Sequence, residues 1–169
     1  MTSTIKVDTI QNSNGTTGLN MDSAGRVTKP QIPAFMASGS AAWTSLATDA
    51  IVAFNDASSG SLFNNGGHYN TSTYAFVVPV AGIYSFSINC YTANSDQVNA
   101  FGPRVNGSKV LTVGTNPLYT QHGEDASFDE HAAASFLLNL EVNDSVAIYT
   151  ITASDIYIQA SQFCGHLIG

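Results

Sequence analysis

Apolar and polar side chains alternate along much of this chain, most strictly in residues 82–92. There Tyr84, Phe86, Ile88 and Cys90 face one way, and serine, asparagine and tyrosine side chains occupy the positions between and after them. Alternation with a period of two, in a segment rich in aromatic and β-branched residues, is typical of a strand that has one face in a protein core. The segment therefore predicts a half-buried antiparallel strand.

Further strand patterns follow one another at short intervals after residue 33, with turn residues between them. Asn106-Gly107 and Asn143-Asp144 predict tight turns, because these residue types tolerate a positive φ. Residues 114–130 are predicted to form a long polar loop, and no segment has a sustained helical period. The expected strands are 34–38, 51–55, 69–70, 75–79, 82–92, 97–105, 109–113, 131–140, 145–151 and 155–167. Many short strands separated by turns predict an all-β sandwich or barrel.

Residues 1–33 differ from the rest and are predicted to form a short extended segment before a domain at 34–169. Very short strands at 5–10, 19–21 and 26–28 are separated by turn-forming pairs, and Pro30 and Pro33 mark the boundary. The few apolar side chains of this segment cannot form a core in one chain. The segment is either disordered, or it becomes ordered by packing against copies of itself or a neighbouring protein.

Charge is scarce and unevenly placed. Charged residues make up 10% of the composition, and the net charge is −7. Residues 31–169 alone carry a net −8, because ten acidic side chains there oppose only Arg104 and Lys109. Such a surface repels phosphate groups, so binding to nucleic acid and to anionic membranes is disfavoured. No membrane insertion is expected, because the chain lacks an apolar run of about 20 residues. It also lacks the apolar core of a signal peptide, so we expect synthesis in a cytoplasm without export by the usual route.

Cys90 and Cys164 are the only cysteines, and each lies in a predicted strand. We favour two unpaired thiols that act as small buried hydrophobes. A single disulfide stays open as an alternative, because the sequence does not show whether the two Cα atoms come within bonding distance.

The histidines and acidic residues offer only a weak metal site. None of the four histidines has a metal-binding spacing. In one loop His122 is joined by the carboxylates Glu124, Asp125, Asp129 and Glu130, whose mutual repulsion Ca²⁺ or a transition metal would relieve. The loop lacks the alternating aspartate pattern of a dedicated calcium loop. We therefore prefer a solvated acidic loop and predict no cofactor.

Catalytic motifs are also missing from the sequence, whereas candidate ligand contacts are present. There is no Gly-x-Ser-x-Gly, neither cysteine has a motif partner, and carboxylate pairs occur only as in any acidic protein. We therefore predict a binding protein that is not an enzyme. Tyr69, Tyr119 and His122 lie in or near predicted loops, and their rings and polar atoms suit polar ligands such as glycans.

Three separate pieces of the chain form a recognisable pattern. Residues 70–86 read Asn-x5-Phe-x5-Gly-x-Tyr-x-Phe, residues 136–146 combine an apolar strand, an Asn-Asp turn and a further strand, and residues 161–168 form a closing strand. Together they resemble the globular heads of complement component 1q and its tumour-necrosis-factor-like relatives over residues 34–169. The resemblance implies a ten-stranded jelly roll that assembles as a tight homotrimer and binds other molecules without catalysis.

The N-terminal segment carries a second, shorter resemblance. STIKVDTIQN and GRVTKP, in residues 3–30, are similar to leaders of tail-fibre and virion structural proteins of phages that infect marine bacteria. This resemblance implies an elongated trimeric fibre that has the jelly roll at its tip and is attached through residues 1–33. It also implies synthesis in a bacterial cytoplasm.

Two predicted strands carry apolar side chains on both faces, which favours a subunit contact. In residues 136–142, Leu137 opposes the face of Phe136, Leu138, Leu140 and Val142; in residues 145–151, Ala147, Tyr149 and Ile151 oppose Val146 and Ile148. A sandwich covers only one face of each sheet, so the second face needs a partner. Scattered surface apolar residues are the alternative.

The sequence thus predicts a trimeric phage tail-fibre or virion appendage protein whose head binds a host-surface glycan or protein. Its partners would be two further copies, other virion proteins through residues 1–33, and the host receptor. Two alternatives stay open: a structural capsid or tail decoration protein without a host ligand, and a polysaccharide depolymerase.

Overall fold

The computed structural model describes residues 5–93, 98–112, 114–122 and 130–169; for His122 and Glu130 it describes the backbone alone. The chain divides into two compact units, Met1–Ile32 and Pro33–Gly169. Each unit is built from antiparallel strands, and the regular helical structure in the described residues is one 3₁₀ turn at Ile158–Ala160. No helix in the described part is long and apolar enough to span a bilayer.

The N-terminal unit is a three-stranded antiparallel sheet with neighbouring strands joined in sequence. Its strands are β1 (Thr9–Gln11), β2 (Thr17–Met21) and β3 (Val27–Thr28). The two turns contain the predicted glycines Gly15 and Gly25, at φ 82° and 77°. Asn12 and Asp22 fix these turns, because the side-chain oxygen of each accepts hydrogen bonds from two backbone N–H groups of its own turn.

The second unit is a sandwich of two sheets. The large sheet contains β4 (Ala34–Ala37), β5 (Trp43–Leu46), β6 (Phe63–Asn65), β9 (Gly82–Thr92), β13 (Glu130–Leu140), β15 (Ser154–Tyr157) and β16 (Gln162–Leu167). The small sheet contains β7 (Tyr69–Asn70), β8 (Ala75–Val77), β10 (Asn99–Val105), β11 (Ser108–Lys109), β12 (Thr120–His122) and β14 (Ser145–Thr150). The predicted all-β sandwich is confirmed.

Strand β9 organises the large sheet. Its whole length pairs with β13, from Thr92 opposite Glu130 to Gly82 opposite Leu140. On its other side β9 pairs with β16 and, at Thr92, with β15. Strands β4 and β6 extend the sheet beyond β16, and β5 extends it beyond β15. The predicted alternation of β9 is confirmed, because Tyr84, Phe86, Ile88 and Cys90 are all buried.

The core lies between the two sheets and is rich in phenylalanine. Phe35 of β4 stacks on Tyr69 and Phe76 of the small sheet, with ring centroids 4.7 and 5.0 Å away. The ring of Phe163, from the same sheet as Phe35, packs edge-on against the Phe35 ring with a centroid distance of 4.9 Å. Such pairs stabilise beyond the area they bury. Phe35 therefore joins the two layers.

Several strand boundaries differ between the sequence prediction and the structure. Residues 51–55 were expected to form a strand, but only Ile51 forms a bridge there, opposite Tyr149, although Val52 and Phe54 are buried. The expected strand 155–167 is interrupted by the 3₁₀ turn. The expected loop 114–130 contains β12, which pairs with β10. The short strands β5 and β6 were missed, because three or four residues are too few for a visible alternation.

Gly165 of β16 lies against two core rings and has no space for a side chain. A Cβ there would lie 2.4 Å from Cδ1 of Phe86 and 3.0 Å from Cε1 of Phe35. We expect Gly165→Ala to lower the free energy of unfolding by about 1–3 kcal/mol, because a ring must leave its packed position. Urea denaturation measures this change. Gly18→Ala, where the nearest atom lies 3.7 Å away, is the control; equal losses in the two variants would contradict the explanation.

Candidate functional site

One face of the large sheet packs in the core, and the other face is not covered by the described part of the chain. We call the second the outer face; it carries the side chains of β4, β5, β6, β9, β13, β15 and β16 that point away from the sandwich. Apolar side chains stand on it in each region of the sheet: Leu137 is 63% exposed, Trp43 47%, and Phe63 and Ile83 46% each. Exposed apolar area of this extent is typical of an interaction surface.

An aromatic patch occupies one end of the outer face. Trp43, Tyr91, Tyr157 and His131 come from four different strands, and neighbouring ring centroids lie 4.8 to 6.1 Å apart. The Nδ1 atom of His131 lies 2.7 Å from Oδ1 of Asn89, at hydrogen-bond distance. The patch offers broad ring faces with a polar rim, so it suits either a subunit contact or a stacked ligand.

A shallow depression of about 250 Å³ lies on the outer face where β16, β4 and β6 pair, and its lining includes Met36, Phe63 and Cys164. Next to it the hydroxyls of Ser87 and Ser135 lie 2.8 Å apart, on the strands beyond Cys164. Burial raises the pKa of the Cys164 thiol above its ordinary value. The residues that line this depression include no carboxylate, lysine or arginine.

The outer face carries almost none of the charge of its acidic domain. Among its described strand residues the single carboxylate is that of Asp155, and there is no lysine or arginine. A second copy of the same face would meet little like-charge repulsion, although residues 31–169 carry a net −8. The face is thus electrostatically suited to contact with itself.

The face predicted on strand 145–151 needs no partner. Ala147 is buried, and the guanidinium of Arg104 lies 4.3 Å above the ring of Tyr149. The guanidinium also pairs with the carboxylate of Asp49. Val142 is likewise corrected: it lies in the turn after β13 and not on a strand face. Leu137, in contrast, lies exposed on the outer face of the large sheet, as the sequence predicted.

Tyr69 is a core residue, so its predicted role as a ligand contact is wrong. It is 3% exposed, its ring stacks on Phe35, and its hydroxyl donates a hydrogen bond to the carbonyl of Phe54 at 2.9 Å. Burial raises its pKa well above the ordinary value. The sequence pattern did not indicate this burial, because a strand of two residues is too short to show which of its side chains faces the core.

Tyr119 and His122 lie on the opposite edge of the small sheet from Tyr69. Tyr119 is 44% exposed and immediately precedes β12, so its ring is accessible to a ligand. His122 ends β12 opposite Asn99, and only its backbone is described. The three predicted ligand contacts are therefore not brought together.

The weak metal candidates fall mostly on undescribed residues. Glu124, Asp125 and Asp129 lie outside the described ranges, and Glu130 is described only by its backbone, as the first residue of β13. Within the described part, no group of three or more histidine, cysteine or acidic side chains could hold a metal ion. The metal prediction stays a prediction.

Comparison with known families and structures fixes the fold family. The family model of the C1q domain matches residues 34–168. The chain belongs to the C1q domain family. Its C1q domain is similar in fold to the globular domain of zebrafish complement 1qA protein, at 19% sequence identity and a TM-score of 0.63 over 81% of this chain and 98% of that chain.

Two tumour-necrosis-factor-like structures are also similar to the C1q domain. Eiger TNF from S. frugiperda is 10% identical, with a TM-score of 0.59 over 82% of this chain and 94% of that chain. Murine APRIL at pH 5.0 is 10% identical, with a TM-score of 0.58 over 80% of this chain and 98% of that chain. A search among curated proteins gave no match. The predicted C1q- and TNF-like jelly roll is confirmed.

Proposed function

We propose that the C1q domain is a trimeric binding head in which the outer face of each large sheet packs against neighbouring subunits. One observation carries this proposal: the large, nearly uncharged outer face, with the aromatic patch at one end, stands in an otherwise acidic domain. Its exposed leucine, isoleucine, phenylalanine and tryptophan side chains come from strands that are well ordered by their own pairing. A partner of the same composition would cover them without burying unpaired charge.

The energetic gain expected from such a contact is large. Removing apolar area from water stabilises by about 25 cal/mol per Å². Obligate subunit contacts bury about 2,000 Å² or more, whereas one domain is stable by only about 5–15 kcal/mol. Burial of the outer face would therefore determine the oligomeric state of the protein in solution. The likeness to C1q and TNF-like heads supports three subunits in a closed ring.

In the finer proposal, the head is the exposed tip of a phage tail fibre or virion appendage and binds a host-surface glycan or protein. Residues 1–33 would attach it to the particle. The resemblance of this segment to phage leaders supports that location, and the low charge of the chain suits a virion surface. Three copies of a weak site on one rigid head raise the effective affinity through multivalency.

Adsorption of the labelled full chain to marine bacterial strains, together with a glycan array, tests the finer proposal. We expect saturable adsorption to some strains, with competition by unlabelled protein. Tyr119→Ala is an informative variant, because Tyr119 is the exposed member of the predicted ligand contacts. Binding to virions without adsorption to any strain would identify a decoration protein instead. Release of reducing sugar from host polysaccharide would identify a depolymerase.

The two cysteines give a chemical test of the covered face. In the native protein we expect neither thiol to react readily with a thiol reagent such as DTNB, because Cys90 is fully buried in the core and Cys164 would lie under neighbouring subunits. In a Leu137→Asp variant that separates the subunits, Cys164 should react at least about tenfold faster, while Cys90 reacts only on unfolding. Equal rates for Cys164 in the two proteins would contradict the proposed packing.

A further inference from the structure

The N-terminal unit has strands and fixed turns but no interior. None of its described residues, 5–32, is buried. Its turns are nevertheless specified by side chains: Asn12 accepts two backbone hydrogen bonds of 3.0 Å, and Asp22 accepts two of 2.9 Å and a 2.7 Å bond from Nε of Arg26. The sequence thus defines a particular sheet without giving it anything to pack against.

The two faces of this sheet differ in chemistry. Thr9, Asn20 and Thr28 stand opposite one another and form a polar row. The alternate positions pair Ile10 with Leu19, and Met21 with Val27.

These four apolar side chains, together with Val7, line a shallow depression on one side of the sheet. Ile10, Met21 and Val27 are between 44% and 54% exposed. Asp8, which immediately precedes β1, is the single charged residue that lines the depression. Covering this face would remove apolar area from water and so stabilise a sheet whose strands have only two to five residues.

We propose that this apolar face packs against the same face of the N-terminal sheets of two other chains, forming a three-chain stalk. The inference rests on the proposed trimeric head. Only residues 29–32 connect β3 to the beginning of the second unit, so a trimeric head would hold three copies of the sheet at high effective concentration. Residues 1–30 carry a net charge of only +1, so the copies repel one another weakly.

The apolar face of the N-terminal sheet is small, and its size determines under which conditions three copies associate. It consists of four apolar side chains on strands of two to five residues, together with Val7 just before β1. A standard stable interface buries roughly 800 Å² per partner, which is more than so few side chains supply. The sheets therefore do not hold three separate chains together, and the stalk forms only where the head has already gathered them. Association of the stalk is a consequence of the head trimer, not its cause.

Trypsin cleavage after Arg26 of the full chain tests the stalk, because the Arg26 side chain is 79% exposed while its backbone lies between β2 and β3. We expect Leu19→Asn to speed this cleavage at least about tenfold, because it removes an apolar side chain from the covered face. Thr9→Asn, on the polar row, is the matched control and should change the rate less than about twofold. Sedimentation of each variant reports the head separately, and its mass should remain trimeric.

The outcomes separate the stalk from the head. If the wild-type trimer is cleaved after Arg26 as fast as Leu19→Asn, the stalk proposal is wrong while the trimeric head stands. If dissociation of the head by Leu137→Asp leaves the cleavage slow, the face is covered by its own chain and the proposal is again wrong. Faster cleavage in that monomer supports it. A monomeric wild-type mass would overturn the head and the stalk together.

Discussion

Phe35→Ala is expected to lower the free energy of unfolding of the C1q domain by about 3–5 kcal/mol. The Phe35 ring is 1% exposed and contacts aromatic rings from both sheets, namely Tyr69, Phe76 and Phe163. Truncation would leave a cavity that these rings, held by their strands, are unable to fill. The loss is comparable with the whole stability of a small domain. Thermal and urea denaturation measure it.

Tyr119→Ala is the control for that prediction. Tyr119 is also aromatic but 44% exposed, outside the stacked cluster. Its truncation should change the free energy of unfolding by less than about 1 kcal/mol. A Phe35→Ala protein that unfolds at the same denaturant concentration as Tyr119→Ala would show that the two sheets are not held together through Phe35.

Leu137→Asp is expected to convert the proposed trimer into folded single subunits at micromolar concentration. Leu137 stands on the outer face with its side chain 63% exposed, so aspartate there leaves the isolated subunit intact. In a trimer the same substitution would place three carboxylates in covered apolar surroundings, and each unpaired buried charge is disfavoured by several kcal/mol. Light scattering reports the mass, and circular dichroism reports the fold.

Leu111→Asp provides a matched control on the same domain. Leu111 is also an exposed leucine, at 52%, but it lies after β11, where it forms a bridge with Pro117 away from the large sheet. The mass of this variant should remain that of the wild type. Dissociation by both substitutions, or by neither, would mean that the outer face is not the subunit contact.

The sequence predicted the strands whose alternation continues for many residues. Strand β9 could be predicted because its four apolar core side chains occupy every second position in a strand of eleven residues. The alternation in β13 likewise predicted that Leu137 points away from the core. Fold class followed from these strands and the turns between them, and the match of the C1q domain family confirms it.

The candidate site was less visible, because it is made by register between distant segments. Trp43 reaches Tyr157 through the pairing of β5 with β15, and Tyr157 and Tyr91 meet through the pairing of β15 with β9. No local pattern encodes these contacts. The error on Tyr69 has the same origin, because burial of a two-residue strand is decided by what packs above it.

Sedimentation equilibrium of the full chain at micromolar concentration tests the central claim most directly. We expect one species of three times the 17.7 kDa chain mass, stable to dilution across the micromolar range, because the outer face is too apolar to stay in water. A stable, well-behaved species of 17.7 kDa at the same concentrations would contradict it.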